Sequence, residues 1–277
     1  MSPRTRPAFV LSCLVAAVSG ASPDAAARPT ATVITSRDGT LYEDPMGQTA
    51  NGAGPNFFVG STNGLQRRRG LLFFDVAASV PSGSIIVSAT LTLNMSRTVS
   101  GGQPVSLHPA LRAWGEGASF AGGGGGGGAQ ALANDATWLH TFFPNSFWVN
   151  PGGDFVPGSS ATTSVGAIGS YSWSGPLLNS DVSAWLANPA TNFGWVLLGD
   201  ESAKGTAKRF DTREHPTAAN RPRLVITYRP PCPGDFNGDA VVDFTDLNIV
   251  LSGFGSVYNF ANLNQVLSAF GSACPGV

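Results

Sequence analysis

The stretch Ile85-Ile86-Val87-Ser88-Ala89-Thr90-Leu91-Thr92-Leu93-Asn94-Met95 decides the fold class. Ala89, Leu91, Leu93 and Met95 fall on one side of an extended chain, and Ser88, Thr90, Thr92 and Asn94 on the other. That two-residue period belongs to a strand with one face against a core. Arg223–Tyr228 repeats the form with Leu224, Ile226 and Tyr228. Further strands are expected at Ala31–Ser36, Gly70–Val76, Val105–Leu111, Thr137–Phe143 and Phe193–Leu198. Turn clusters such as Asn51-Gly52-Ala53-Gly54-Pro55, Pro81-Ser82-Gly83 and Asn150-Pro151-Gly152-Gly153-Asp154 separate them. Residues 28–229 are therefore expected to form an all-β domain, a jelly-roll-like β-sandwich.

Composition agrees. Of 277 residues, 35 are Gly and 20 Pro, while only 12% are charged, about half the usual share. Short strands with many turns suit this better than a helical bundle. A net charge of −1 with no basic stripe argues against a nucleic-acid partner. One helix is expected, with Asp181 as N-cap, Val182, Trp185 and Leu186 on its inner side and Asn188-Pro189 as its stop. The glycine run Gly122–Gly128 reads as an exposed, mobile loop tip; it lacks the Lys-Ser/Thr of a phosphate loop.

Residues 1–27 read as a secretory signal. Arg4 and Arg6 precede the apolar segment Phe9–Val18, and cleavage is expected after Ala21 or Ala27. A lipoprotein signal at Cys13 is the alternative. The apolar segment is too short to cross about 30 Å of hydrocarbon, and no other run is longer, so no membrane span is expected. The mature chain is then secreted or held at the cell surface. It keeps two cysteines, Cys232 and Cys274, which should pair outside the cell.

Those cysteines bracket an acidic tail: the segment 232–277 carries four Asp and no Lys or Arg. Counting from Asp235 as the first position, Asp235, Asn237, Asp239, Asp243 and Asp246 supply side-chain oxygens, and Val241 a carbonyl, at the spacing of a twelve-residue calcium loop. One calcium ion is expected, coupled to folding of the tail. Ala240 stands at the sixth position, where such loops place Gly. Sixteen residues on, the pattern returns without its acids: Asp243-Phe244-Thr245-Asp246-Leu247-Asn248 aligns with Asn259-Phe260-Ala261-Asn262-Leu263-Asn264, and Phe254-Gly255-Ser256 with Phe270-Gly271-Ser272. Two loop-helix units packed through Leu247, Leu251, Phe254, Leu263, Leu267 and Phe270 are expected.

Two resemblances follow from these motifs. Arg67-Arg68-Arg69-Gly70-Leu71-Leu72-Phe73-Phe74-Asp75, Ser88-Ala89-Thr90-Leu91-Thr92-Leu93, Trp114-Gly115-Glu116-Gly117, Asn192-Phe193-Gly194-Trp195 and Lys208-Arg209-Phe210-Asp211-Thr212-Arg213-Glu214 together resemble the DNRLRE-domain family, also called disaggregatase-related and similar to carbohydrate-binding module family 96. That resemblance implies a β-sandwich in an exported protein and a polysaccharide ligand. Residues 230–277 resemble a dockerin-type module, which implies calcium and docking to a cohesin-like or other surface protein.

Catalytic signatures are missing. His108, His140 and His215 sit in no metalloprotease or esterase pattern, and Glu43, Asp44, Glu116, Asp154, Glu201 and Glu214 cannot be paired from sequence. Binding suits the composition better: Trp138, Phe147, Trp148, Tyr171 and Trp173 lie in or beside polar loops and are candidate stacking platforms for sugar rings. Arg67, Arg68 and Arg69 are candidate partners for the carboxylates of an acidic polysaccharide. The expectation is a non-catalytic polysaccharide-binding or adhesion protein. A ligand-free surface spacer, or a polysaccharide lyase or hydrolase, stands as the alternative.

Overall fold

The computed structural model describes residues 28–274, so the expected signal lies outside the described residues. The chain is mostly β, with 35% strand and 15% helix. Its framework is eleven strands: β1 Thr30–Ile34, β2 Arg37–Tyr42, β3 Asn56–Ser61, β4 Arg67–Phe73, β5 Ile85–Thr98, β6 Gln103–Pro109, β7 Ala161–Val165, β8 Gly169–Ser174, β9 Trp195–Leu198, β10 Lys208–Asp211 and β11 Arg223–Arg229. They pair antiparallel in the order β1-β11-β5-β10-β3-β4-β9-β6-β7, with β8 on the second edge of β5 and β2 on that of β4. The sheet curls at β3. Its first four residues pair with β10, but Gly60 and Ser61 pair with β4. Gly60 has φ 98°, and a Cβ there would meet the Thr206 carbonyl oxygen at 3.0 Å, so the corner requires glycine.

Alternation in β5 is realised. Ala89, Leu91, Leu93 and Met95 are at most 1% exposed and meet Leu72, Leu107, Trp195, Phe210, Leu224 and Ile226 across the sandwich-like interior. Each large side chain so buried contributes roughly 1.5–3 kcal/mol relative to exposure. A second, smaller core lies on the outer side of β2, β4 and β9. There Leu41, Leu71 and Val196 are covered by Ala110, Trp114, Ala136, Trp138 and Trp148 from the long connection between β6 and β7. This cover buries β2 on both faces, which erases the alternation that would have disclosed it in the sequence. The strand expected at Thr137–Phe143 contracts to His140–Phe142, hairpinned with Ser146–Phe147.

Helix α1 spans Pro176–Ala187 and buries Leu178, Val182, Trp185 and Leu186. Its N-cap is Gly175, not Asp181. Asp181 sits mid-helix instead, its carboxylate accepting from Ser160 Oγ at 2.5 Å and from Trp195 Nε1 at 2.8 Å. The start moved because Pro176 at the first helical position needs no N–H partner. The glycine run is also anchored: Gly125 is buried, and its carbonyl accepts from Tyr42 Oη at 2.6 Å.

In the tail, α2 (Phe244–Ser252) and α3 (Phe260–Ala269) begin with matching capping boxes, Asp243 with Asp246 and Asn259 with Asn262. The sixteen-residue repeat is therefore structural, and Gly255 and Gly271 close both units at φ 81° and 79°. The packing face differs from expectation. Val242, Val250 and Val266 are fully buried, with Leu247, Leu263, Phe236 and Tyr258 against them, whereas Leu251, Phe254, Leu267 and Phe270 are exposed. Two short helices touch along one narrow line, and the β-branched valines fill it. Cys232 and Cys274 are joined, with Cα atoms 5.5 Å apart.

Candidate functional site

Most of the expected ligand-binding side chains are occupied elsewhere. Trp173 is 0% exposed and donates Nε1–H to the Val105 carbonyl, while Trp148 is 5% exposed and donates to the Thr137 carbonyl. Trp138, 4% exposed, is covered by the guanidinium groups of Arg67 and Arg69 at 4.9 and 5.0 Å from its ring. Tyr171 is half-buried and donates its hydroxyl to the Ala167 carbonyl. None of the three tryptophans offers a face to a sugar. Their ring area is what the two cores needed, and neighbouring turn residues conceal that in the sequence.

Arg67 and Arg69 are likewise committed. Arg67 sets Nε and Nη2 on one oxygen of Glu43, at 3.1 and 2.6 Å, and its backbone N–H on the other. Arg69 forks onto Glu201 with bonds of 2.7 and 2.9 Å. The Arg67 bond holds the Glu43 carboxyl below its ordinary value. Both guanidinium groups lie over Trp138 and are paired with carboxylates, so these arginines stabilise the cover rather than await a ligand.

A different set of arginines is free. Strand register sets Phe58 of β3, Arg209 of β10 and Arg97 of β5 side by side in one cross-strand row. Because Lys208 and Phe210 point inward at 0% exposure, Arg209 points outward. Arg97 follows through an irregularity: Phe210 pairs with Met95 and Arg209 with Arg97, leaving Ser96 as an extra residue. This bulge reverses the face, so that Arg97 turns to solvent although it is two residues past buried Met95. Below it, buried Lys208 gives its ammonium protons to Thr98 Oγ1, Ser100 Oγ and the carbonyls of Ser100 and Gly101, which fixes the end of β5. Burial pulls that ammonium group below its ordinary pKa.

The row floors a cleft of about 390 Å³, continuous through Phe58, Arg97, Val99 and Ala207 with a recess of about 120 Å³ that reaches Arg209. Its far wall is Arg68 and its rim includes Asn63 and Gly126. Arg68 is 7% exposed and lies 4.9 Å over the Tyr42 ring; its Nε has no hydrogen-bond partner among the described residues. Burial lowers its pKa, opposed by Tyr42 and Glu43. Among the described residues, Arg68, Arg97 and Arg209 have no carboxylate within 4.0 Å; Arg209 Nε donates only to Ser96 Oγ. Three unneutralised guanidinium groups around an apolar floor form an anion-receptive surface. Arg68 was within the sequence-derived set; Arg97 and Arg209 were missed, since only the partner strand reveals which way they turn.

The acidic loop of the tail is held by its own side chains, and no three of Asp235, Asp239, Asp243 and Asp246 bring carboxylate oxygens within 4.8 Å of one another. Asp235 accepts from the N–H groups of Gly238 and Ala240, Asn237 Oδ1 from that of Asp239, and Asp239 from that of Val241. Gly238 and Ala240 both take positive φ, 78° and 75°. Asp246 stands apart: it is fully buried, and its oxygens accept from the N–H groups of Phe236, Asn237 and Asp243. Burial raises its pKa, but these amide bonds prevail and leave it below its ordinary value. The residue types are those calcium takes, so Asp235, Asn237, Asp239, Asp243 and the Val241 carbonyl would be the holders of an ion, while Asp246, expected as a ligand, braces the loop instead. Cys232, Asp235 and Cys274 also lie close together, but the two sulfurs are spent on each other.

The remaining carboxylates named above are mostly engaged. Asp44 accepts from Met46 and Gln48, and Asp154 from Val149, Asn150 and Arg112. His140, 6% exposed, shares a 2.9 Å hydrogen bond with Thr137. No protein-family model matches this chain, and no curated protein matches it.

Proposed function

We propose that this chain is an exported, non-catalytic binding protein whose β-domain, a jelly-roll sandwich of DNRLRE type, holds an acidic polysaccharide in the cleft of Arg68, Arg97 and Arg209. The observation that supports this most is the unpaired arginine row itself. Uronate carboxylates would take the guanidinium forks, and the sugar's C–H faces would lie on Phe58 and exposed Val99. The tail acts as a dockerin-like module with one calcium ion in the loop beginning at Asp235, and it attaches the β-domain to a cohesin-like or other surface protein. Its exposed aromatic pairs, Phe244 with Phe270 and Phe254 with Phe260, have ring centroids 4.9 and 5.0 Å apart and are related by the internal repeat. They give that attachment two equivalent apolar contacts.

Affinity electrophoresis through gels containing polygalacturonate, alginate or a neutral glucan tests the reading. Retardation is expected in the acidic gels, and Arg97→Ala or Arg209→Ala should each weaken it about tenfold, one charge-assisted contact being worth about 1.5–3 kcal/mol. Equal migration in all gels removes the polysaccharide role and leaves the spacer. Turnover of any of these polymers by the pure chain establishes the enzymatic alternative.

A further inference from the structure

Asp38 on β2 is fully buried, and its environment is unusual for a charged group. One oxygen, Oδ2, accepts from the Arg213 backbone N–H at 2.8 Å, but Oδ1 has no partner among the described residues. The Asp38 backbone N–H reaches Glu116 Oε1 at 2.8 Å. Glu214, in the turn after β10, also has a buried oxygen, Oε2, without a partner. One carboxylate oxygen from each of Asp38, Glu116 and Glu214 lies within 4.8 Å of those of the other two. Arg213 binds two of the three: its Nε lies 2.7 Å from Glu116 Oε1 and 2.9 Å from Glu214 Oε1, and Nη2 lies 2.5 Å from Glu116 Oε2.

Three carboxylates face one contacting guanidinium, Arg213, with that of Arg37 further off near Glu116, which still leaves a net negative charge in a largely buried place. Such an excess is not stable as it stands. A dication neutralises it, and hard oxygen donors are what calcium selects; of the cluster's oxygens, Asp38 Oδ1 and Glu214 Oε2 have no N–H competing for them among the described residues. The two orphan oxygens, Asp38 Oδ1 and Glu214 Oε2, are the ligands the protein would otherwise leave unsatisfied. Burial raises both Asp38 and Glu214 above their ordinary carboxylate range, and the proximity of Asp38, Glu116 and Glu214 to one another adds to the rise. Glu214 keeps 21% of its side chain exposed, which gives an ion a way in.

We infer that Asp38, Glu116 and Glu214 form a second cation site, within the β-domain, for one hard divalent ion such as calcium. Its position joins β2, the connection after β6 and the turn after β10, so occupancy would tie three distant segments together. The inference does not depend on the polysaccharide reading.

Isothermal titration of calcium into the metal-stripped full chain, with Asp235→Ala and Asp239→Ala together disabling the tail loop, isolates this site. One ion per chain is expected, and a rise in Tm of roughly 5–10 °C at calcium 100-fold above Kd. Adding Asp38→Asn or Glu214→Gln should weaken binding at least tenfold. Partly exposed Glu214→Gln, whose fold is checked by circular dichroism, decides the matter if Asp38→Asn does not fold. No calcium bound to the tail-disabled chain overturns the inference, because the excess charge is then met by a shared proton. Titration unchanged by Glu214→Gln in a folded protein overturns it equally.

Discussion

Between Met95 and Arg97 the chain carries one residue, Ser96, that the neighbouring strand does not match. Removing it places Arg97 directly after inward-facing Met95 and opposite Arg209, so strict alternation keeps the Arg97 side chain on the outer face. A Ser96 deletion is therefore expected to fold with a regular ladder and with Arg97 still beside Arg209, and Ser96→Ala to fold and lose only the bond from Arg209 Nε. Soluble expression and circular dichroism check both, and an unfolded deletion variant would show that the bulge itself is needed. Asp181 is a second informative position. Replacing it with Ala leaves Ser160 Oγ and buried Trp195 Nε1 without acceptors, at a cost of about 1–3 kcal/mol in denaturant unfolding. Burial raises the pKa of Asp181, against the hydrogen bonds from Ser160 and Trp195. A raised native pKa means a contribution present in acid and lost as pH rises from the unfolded carboxylate range, about 4, through the native value. Wild type should consequently lose stability relative to Asp181→Asn over that interval, measured as the difference in unfolding free energy between pH 4 and pH 7.

At the scale of elements, legibility followed the number of faces a strand exposes. β5 and β11 have one wet face, and their alternation disclosed them. β2 has none, because Trp114, Trp138 and Trp148 roof the far side, and a doubly buried strand such as Arg37–Tyr42 has no period to read. The same roof explains the tryptophans: each is followed or preceded by loop residues, yet each lies beneath them. Arginine placement depended on partners too. Nothing in Arg67-Arg68-Arg69 distinguishes the middle residue, but pairing sends its neighbours to Glu43 and Glu201 and leaves Arg68 beside the cleft. In the tail, the sixteen-residue repeat was visible, while the packing line through Val250 and Val266 was not, since isoleucine, leucine and phenylalanine occupy several faces of each short helix. Reduction of Cys232–Cys274 should destabilise these helices by roughly 4 kcal/mol on the chain-entropy account, with loss of the tail's cooperative melting in calorimetry.

For the whole molecule, two cation-dependent steps are expected rather than one. Chelator should lower the melting temperature of both parts of the chain, and Asp239→Ala should abolish the effect for the tail only. The cores of the two parts share no buried residue, so their transitions are expected to separate in a calorimetric scan. The clasp between Cys232 and Cys274 has a mechanical meaning as well. Its two Cα atoms are 5.5 Å apart although 42 positions separate them along the chain. Tension applied beyond Cys274 therefore passes through the sulfur bridge straight to Pro231 and the last strand, and the helices between never feel it. Such a pull leaves the helices folded and is delivered instead to β11, which is hydrogen-bonded to both β1 and β5.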